Sequence, residues 1–332
     1  MEKHDFNLSN YLRITIGKTV PDRLENYKII LDSGIFLSLK AHETIKREDR
    51  HDFLNDALIL FQMTMSKGIS ILKLAQGTDY KNDIESLKHN KAYRYIEPTA
   101  ISSLTRTQFE AFSNFHNIYN SSDDDNVKQL LHDLWVVAGL KERQRFIHDD
   151  MAEEHKKKAE VERRKIDTLI ERIEANEVFL SFSEERAEKL RKQIKQRNFQ
   201  FVYKDGDLKK SGWRDMFLNA GIKPMFENIY SNMSLYSHPS NVSVFQFAQM
   251  FDEKTNTPMT HNAMNISRII MALFIGNYCK FIPEAHAAFQ ELPRLYQFII
   301  DFENKAFRET EDFIISNEHE DQIAELESQV PK

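Results

Sequence analysis

Apolar residues recur along the chain at steps of three, four and seven, the period of an α-helix with one buried face. Leu54, Leu58, Phe61, Met65 and Leu72 form such a stripe, and Gly77 offers a left-handed stop at its end. Before it, Pro21 stands where a first helical residue would, ahead of Asp22-Arg23-Leu24-Glu25, and the pattern predicts a helix ending near Gly34. Pro98 opens another helix reaching about Tyr119. In Asn120-Ser121-Ser122-Asp123-Asp124-Asp125, Ser and Asp side chains are placed to cap a helix carrying Leu130, Leu131, Leu134 and Trp135. Three adjacent aspartates also suggest a metal, but the helix dipole accounts for them more simply.

The pattern changes between Asp149 and Gln200, where 26 of 52 residues are charged, 13 of each sign. Ile166, Leu169, Ile173 and Leu180 leave a narrow apolar seam of the kind that pairs helices in a coiled coil. The seam breaks near Leu180 to Ser183, where Ser181 and Glu184 have capping-box spacing, and Ala187, Leu190 and Ile194 start a second, shorter helix. This predicts an antiparallel helical hairpin projecting from the body. Asp205-Gly206, following Phe199 to Lys204, is a turn signal for one short strand pair. Helices resume at Trp213. Pro224 opens one ending by Pro239, and two more cover Asn262 to Ile282 and Pro283 to about Glu311.

The expected fold is therefore all-α: a multi-helix bundle with an inserted antiparallel helical hairpin and at most one short β-hairpin. Residues 1–148 and 201–312 form the two halves of the body, 149–200 the insertion and 313–332 an acidic tail. Composition agrees. Nine Gly, eight Pro and ten Val in 332 residues are too few for a turn-rich β protein.

Charge and cysteine usage narrow the function classes. The net charge of −6 is accounted for by Asp301 to Lys332, with ten acidic and three basic residues, so no broad basic surface for nucleic acid is expected. Cys279 is the single cysteine, which leaves no intramolecular disulfide and no cysteine-based zinc site. The N-terminal ten residues lack the basic-then-apolar order of a signal peptide, and Ile269 to Gly276 is too short an apolar run to span a bilayer. A cytoplasmic protein without a membrane partner is expected.

Gly-x-Gly-x-x-Gly, Walker, nucleophile-elbow and His-Glu-x-x-His motifs are absent. Two polar stripes remain. Arg106, Glu110, Ser113 and Asn117 share one face of the helix opened by Pro98, opposite Ile101, Leu104, Phe112 and Phe115. An exposed ion pair would account for this face, although Arg preceding Glu is the less favourable order. Tyr230, Ser234 and His238 recur at four-residue steps with Glu227 beside them, opposite Met225, Ile229, Met233 and Tyr236. His238 precedes Pro239, at a helix C-terminus whose carbonyls favour a protonated imidazole. An arginine, a protonated imidazole and hydroxyls suit a phosphate.

The run Leu104-Thr-Arg106-Thr-Gln-Phe-Glu110, followed by Tyr230-Ser-Asn-Met-Ser234-Leu-Tyr-Ser-His238-Pro-Ser, resembles a widespread bacterial family of all-helical proteins of unknown function. Arg-x-x-x-Glu and Tyr-x-x-x-Ser-x-x-x-His helices recur there in this order. The resemblance covers roughly Leu54 to His148 and Trp213 to Pro283, with the hairpin as an insertion. These families in turn resemble the HEPN superfamily, which includes metal-independent ribonucleases of toxin and phage-defence systems. Such ribonucleases carry an Arg followed by His after four to six residues, usually with a polar residue just after the Arg. Only Arg143-Gln-Arg-Phe-Ile-His148 matches here, and chance alone supplies roughly two matches in a chain of this composition.

If the resemblance holds, the nuclease motif is either displaced to Arg106 and His238 or lost. Arg106 and His238 are thus the candidate catalytic residues and Glu110, Tyr230 and Ser234 the candidate ligand-binding ones, with no metal or cofactor expected. Three readings follow: a binding module for a nucleotide or other phosphate-containing ligand, a ribonuclease acting on RNA, and a scaffold meeting a protein partner through 149–200. Pairing of two copies stays open.

Overall fold

In a computed structural model, residues 20–80, 93–238, 240–249 and 253–316 are described. The N-terminal ten residues and residues 317–332 of the acidic tail lie outside them. Thirteen helices are present among the described residues, in two compact units: Met1–Ser113 with Gly221–Lys332, and Asn114–Ala220. The all-α class holds.

The first unit is built on α1 (Val20–Thr44), α2 (Asp52–Gln76), α3 (Pro98–Phe115), α9 (Ile229–Ser237), α10 (Asn241–Gln249), α11 (Glu253–Phe281), α12 (Pro283–Phe289) and α13 (Arg294–Phe307). Helix α11 is its axis, packing against α1, α2, α12 and α13. Its residues 269–275 are buried on every side, as the unbroken apolar run requires. Phe61 stacks on Tyr278 at 3.8 Å, and Phe274 meets Phe61 and Phe112 edge-on. Helix α2 is apolar enough by length and composition to cross a membrane, but Leu58, Phe61, Met65 and Ile71 are buried within the unit.

A fully buried hydrogen-bond chain fixes the register of four helices. Tyr27 donates to the Gly68 carbonyl and contacts Ser267, Ser267 donates to Gln108 Oε1, and Gln108 Nε2 donates to the Thr64 carbonyl.

Several boundaries differ from the sequence expectation. Helix α1 runs through Gly34 to Thr44. Gly34 serves close approach instead of termination, because a Cβ there would collide with Met65 Sδ of α2. Gly77 does cap α2, at φ +84°. Helix α11 starts at Glu253, nine residues before the expected Asn262, and carries Pro258 inside it; a proline deletes one helical hydrogen bond, which a long packed helix survives. The segment from Pro283 divides into α12 and α13, and α10 has no counterpart in the expected elements.

A second strand pair, β1 (Thr78–Tyr80) with β2 (Tyr93–Tyr95), adds to the single one anticipated; three residues a side give too short an alternation to read. Phe313 and Ile315, placed in the tail by sequence, are buried. Asp301 accepts from the Ile315 and Ser316 amides, and the Arg308 guanidinium lies 3.7 Å from the Phe313 ring centroid.

The second unit holds α4 (Asp125–Gln144), α5 (Glu153–Ala175), α6 (Glu177–Leu180), α7 (Glu184–Lys195), β3 (Phe201–Lys204), β4 (Asp207–Lys210) and α8 (Trp213–Asn219). Asp124 caps α4, accepting from Asn126 N at 2.8 Å. Helices α5 and α7 form the antiparallel hairpin, tied by Arg191 to Glu174 at 2.9 Å. The hairpin does not stand free: α5 lies along α4, with Gln144 Nε2 donating to the Ala159 carbonyl and Arg172 pairing with the buried Asp133. Ile166, Leu169, Ile173, Ala187, Leu190 and Ile194 are buried, but Leu180 leaves the seam and is exposed.

The Ser181–Glu184 capping box does not form. Ser183 is the N-cap of α7, and Ser181 Oγ donates to the Val178 carbonyl, closing the end of α6. Asp205 and Gly206 both have positive φ, as a two-residue type I′ turn requires, and β3 pairs with β4 in the matching register.

Candidate functional site

The two polar stripes meet within the first unit. Helix α3 projects Arg106 and Glu110 one turn apart, with Arg106 Nε donating to Glu110 Oε1 at 3.1 Å. Helix α9 brings the Tyr230 hydroxyl to the same place: it accepts from Arg106 Nη2 at 2.8 Å and donates to Glu110 Oε1 at 3.2 Å. The guanidinium also lies 5.0 Å from the Tyr230 ring centroid, a cation–π distance, while Phe109 packs against that ring at 5.3 Å.

Burial, then the Glu110 charge, pushes the Tyr230 phenol above its ordinary pKa, with Arg106 opposing. The phenol therefore stays protonated and works as a neutral bridge. The side chains of Arg106 and Glu110 are 21% and 25% exposed, so the pair is part-buried and in reach of solvent.

His238 completes the cluster from the C-cap of α9. Its backbone is extended, at φ −124° and ψ 145°, as the residue before a proline prefers. Its carbonyl accepts from Ser243 Oγ at 2.7 Å, and Nε2 lies 3.1 Å from Arg106 Nη1. Arginine has only donors, so Nε2 is the acceptor in this contact.

Three of the five N–H groups of Arg106 are thus engaged by Glu110, Tyr230 and His238. The guanidinium is pinned in orientation with donor capacity left on both terminal nitrogens.

Other stripe members diverge. Ser234 donates to the Tyr230 carbonyl in its own helix, and Ser113 to the Phe109 carbonyl. Asn117 lies in a π-helical turn, His116–Asn120, where Nδ2 donates to the Phe201 carbonyl in the second unit. The straight-helix projection fails there because a π turn rotates the side chains that follow it. Arg143 pairs with Glu162 on the hairpin, as expected of a solvated arginine.

One contact escapes the sequence reading. Ser103 Oγ donates to Ser237 Oγ at 3.3 Å, joining α3 to α9 beside Arg106 and His238. Ser103 extends the α3 stripe backwards by one turn, and that spacing was the available signal.

No curated protein and no solved structure matches the chain. Residues 96–255, just under half of the chain and including Arg106, Glu110, Tyr230, Ser234 and His238, match the model of a family of unknown function, DUF5677.

Proposed function

We propose that Arg106, Glu110, Tyr230 and His238 form a recognition site for a phosphate-containing ligand, a nucleotide or RNA. The observation that carries this reading is an arginine oriented from three sides at a part-open surface. A guanidinium fixed in this way can offer its remaining N–H groups to phosphate oxygens without losing further side-chain freedom. Titration calorimetry with inorganic phosphate and with a short single-stranded RNA tests it. Arg106→Ala should weaken binding at least tenfold, with Arg106→Lys restoring only part because a point charge lacks the bidentate fork. Unchanged binding by Arg106→Ala would end this reading.

A second reading, a metal-independent ribonuclease of a bacterial defence or toxin system, is favoured by the exposed His238 and its acceptor nitrogen beside a guanidinium. Nε2 would take the proton of an RNA 2′-hydroxyl as that oxygen attacks phosphorus and breaks the bond to the 5′-oxygen of the next nucleotide, which leaves with a proton from water and yields a 2′,3′-cyclic phosphate, while Arg106 stabilises the charge gathering on the phosphoryl oxygens. RNA cleavage in EDTA by wild type and by His238→Ala separates the two. Equal cleavage excludes His238 as catalyst; no cleavage by either, with RNA binding retained, leaves the recognition site alone.

A further inference from the structure

Hydroxyl groups on the two helices of the site share a habit that Ser103 breaks. Ser102, Thr105, Thr107 and Ser113 on α3, and Ser234 and Ser237 on α9, each donate to a carbonyl of their own helix. The carbonyl one turn back is the nearest acceptor for a hydroxyl inside a helix, so this is its ordinary partner. Ser103 Oγ donates instead across to Ser237 Oγ of α9, at 3.3 Å.

That bond is weak in length and in kind. Oxygens in an O–H···O bond usually stand about 2.5–3.0 Å apart, and neither hydroxyl here carries a charge. The Ser237 proton is committed to the Met233 carbonyl at 3.2 Å, so Ser237 serves Ser103 as an acceptor only. Turning the Ser103 proton to another oxygen takes rotation about its Cβ–Oγ bond and leaves the Ser237 bond to Met233 intact. A phosphate oxygen would offer Ser103 a charge-assisted bond, shorter and about twice as strong as a neutral one.

Placement supplies the rest. Ser103, Arg106 and Glu110 fall within about sixty degrees of one another on α3. Arg106 Nη1 reaches His238, the residue next to Ser237, so guanidinium and hydroxyl are aimed at the same turn of α9. Both serines and Arg106 are part-buried, and His238 beside them is exposed.

We propose that Ser103 is a further ligand-binding residue of this site, donating its proton to a phosphate oxygen in exchange for its bond to Ser237. The inference rests on the phosphate reading of Arg106 and deepens it. A carboxylate has two oxygens, which the terminal nitrogens of one arginine can hold by themselves. A phosphate has further oxygens, and a neutral hydroxyl next to the guanidinium is suited to one of them.

A mere tie between α3 and α9 would need both hydroxyls equally, whereas a ligand donor needs only that of Ser103. Ser103→Ala and Ser237→Ala therefore separate the two roles in titration calorimetry with inorganic phosphate. Either variant removes the tie, and both should show the same small loss in urea unfolding. Ser103→Ala should bind phosphate about tenfold more weakly, the size of one hydrogen bond to a charged group. Ser237→Ala should bind as tightly as the wild type or tighter, because it frees the Ser103 proton. Equal losses of affinity in the two variants, or unchanged affinity in Ser103→Ala, would overturn the role of Ser103 while a loss in Arg106→Ala left the site itself standing. A wild type that binds no phosphate would overturn both.

Discussion

Arg106 owes its place to partners that act together. Glu110 Oε1 receives both Arg106 Nε and the Tyr230 hydroxyl, so removing the carboxylate leaves two donors short of an acceptor. Because both charged side chains retain about a fifth or more of their exposure, water replaces part of what is lost. Glu110→Ala should cost about 1–2 kcal/mol in urea unfolding, well below the roughly 3–5 kcal/mol of breaking a fully buried pair. Tyr230→Phe keeps the ring over the guanidinium and removes only the hydroxyl bridge. It should cost about 1 kcal/mol, and it should lower phosphate affinity less than Arg106→Ala does. If Tyr230→Phe matched Arg106→Ala in binding, the hydroxyl itself would be a ligand contact and not a brace.

Elements in the first unit meet through glycines placed for contact. At Gly34, a methyl group would gain about 1 kcal/mol of helix propensity but would have to displace Met65 from the α1–α2 contact. Overpacking of this kind costs about 1–3 kcal/mol, so Gly34→Ala should lower the melting temperature despite its better propensity. Adding Met65→Ala in the same chain should make the Gly34→Ala change less costly than it is alone, a coupling that a double-mutant cycle measures directly. Two additive losses would mean that Gly34 is not there for Met65. At β3–β4 the glycine has a different reason, the positive φ of the turn.

At the scale of the whole molecule, each unit carries its own buried polar centre, and that of the second unit holds the titratable carboxylate of Asp133. Burial works to raise the pKa of Asp133, but His132, whose Nδ1 lies 3.6 Å away, the hydrogen bonds and charge of Arg172 and the hydrogen bond from Gln129 hold it below the ordinary value of 3.8. The sign follows from linkage. A depressed carboxylate contributes stability that is complete above the unfolded value and is lost as pH falls through the folded one. Hydrogen-exchange protection of α4 and α5 should therefore be insensitive to this group above about pH 5 and weaken on acidification below pH 4. Asp133→Asn should flatten that acid dependence while costing about 1–3 kcal/mol at neutral pH, a moderate loss because Arg172 is half exposed and can turn to water. An unchanged acid profile in Asp133→Asn would assign the loss to other carboxylates.

What the sequence by itself determined is what lies within a few residues along the chain. Helical periodicity marked α2, α4, α5 and α7; Gly77, Asp124 and the Asp205-Gly206 turn were legible because caps and turns depend on local φ and on side chains reaching the nearest amides. The two polar stripes could be read for the same reason, since three- and four-residue steps are a helix's own geometry.

Tertiary structure decided the rest. Whether Gly34 ended a helix or admitted Met65, whether Phe313 began a tail or lay under Arg308, and whether Asn117 followed Arg106 or turned towards Phe201 all depended on neighbours distant in sequence. The meeting of Arg106 with Tyr230, 124 residues apart, and with His238, 132 residues apart, is of that kind. A periodic pattern says which side chains share a face, but it does not say what that face will meet.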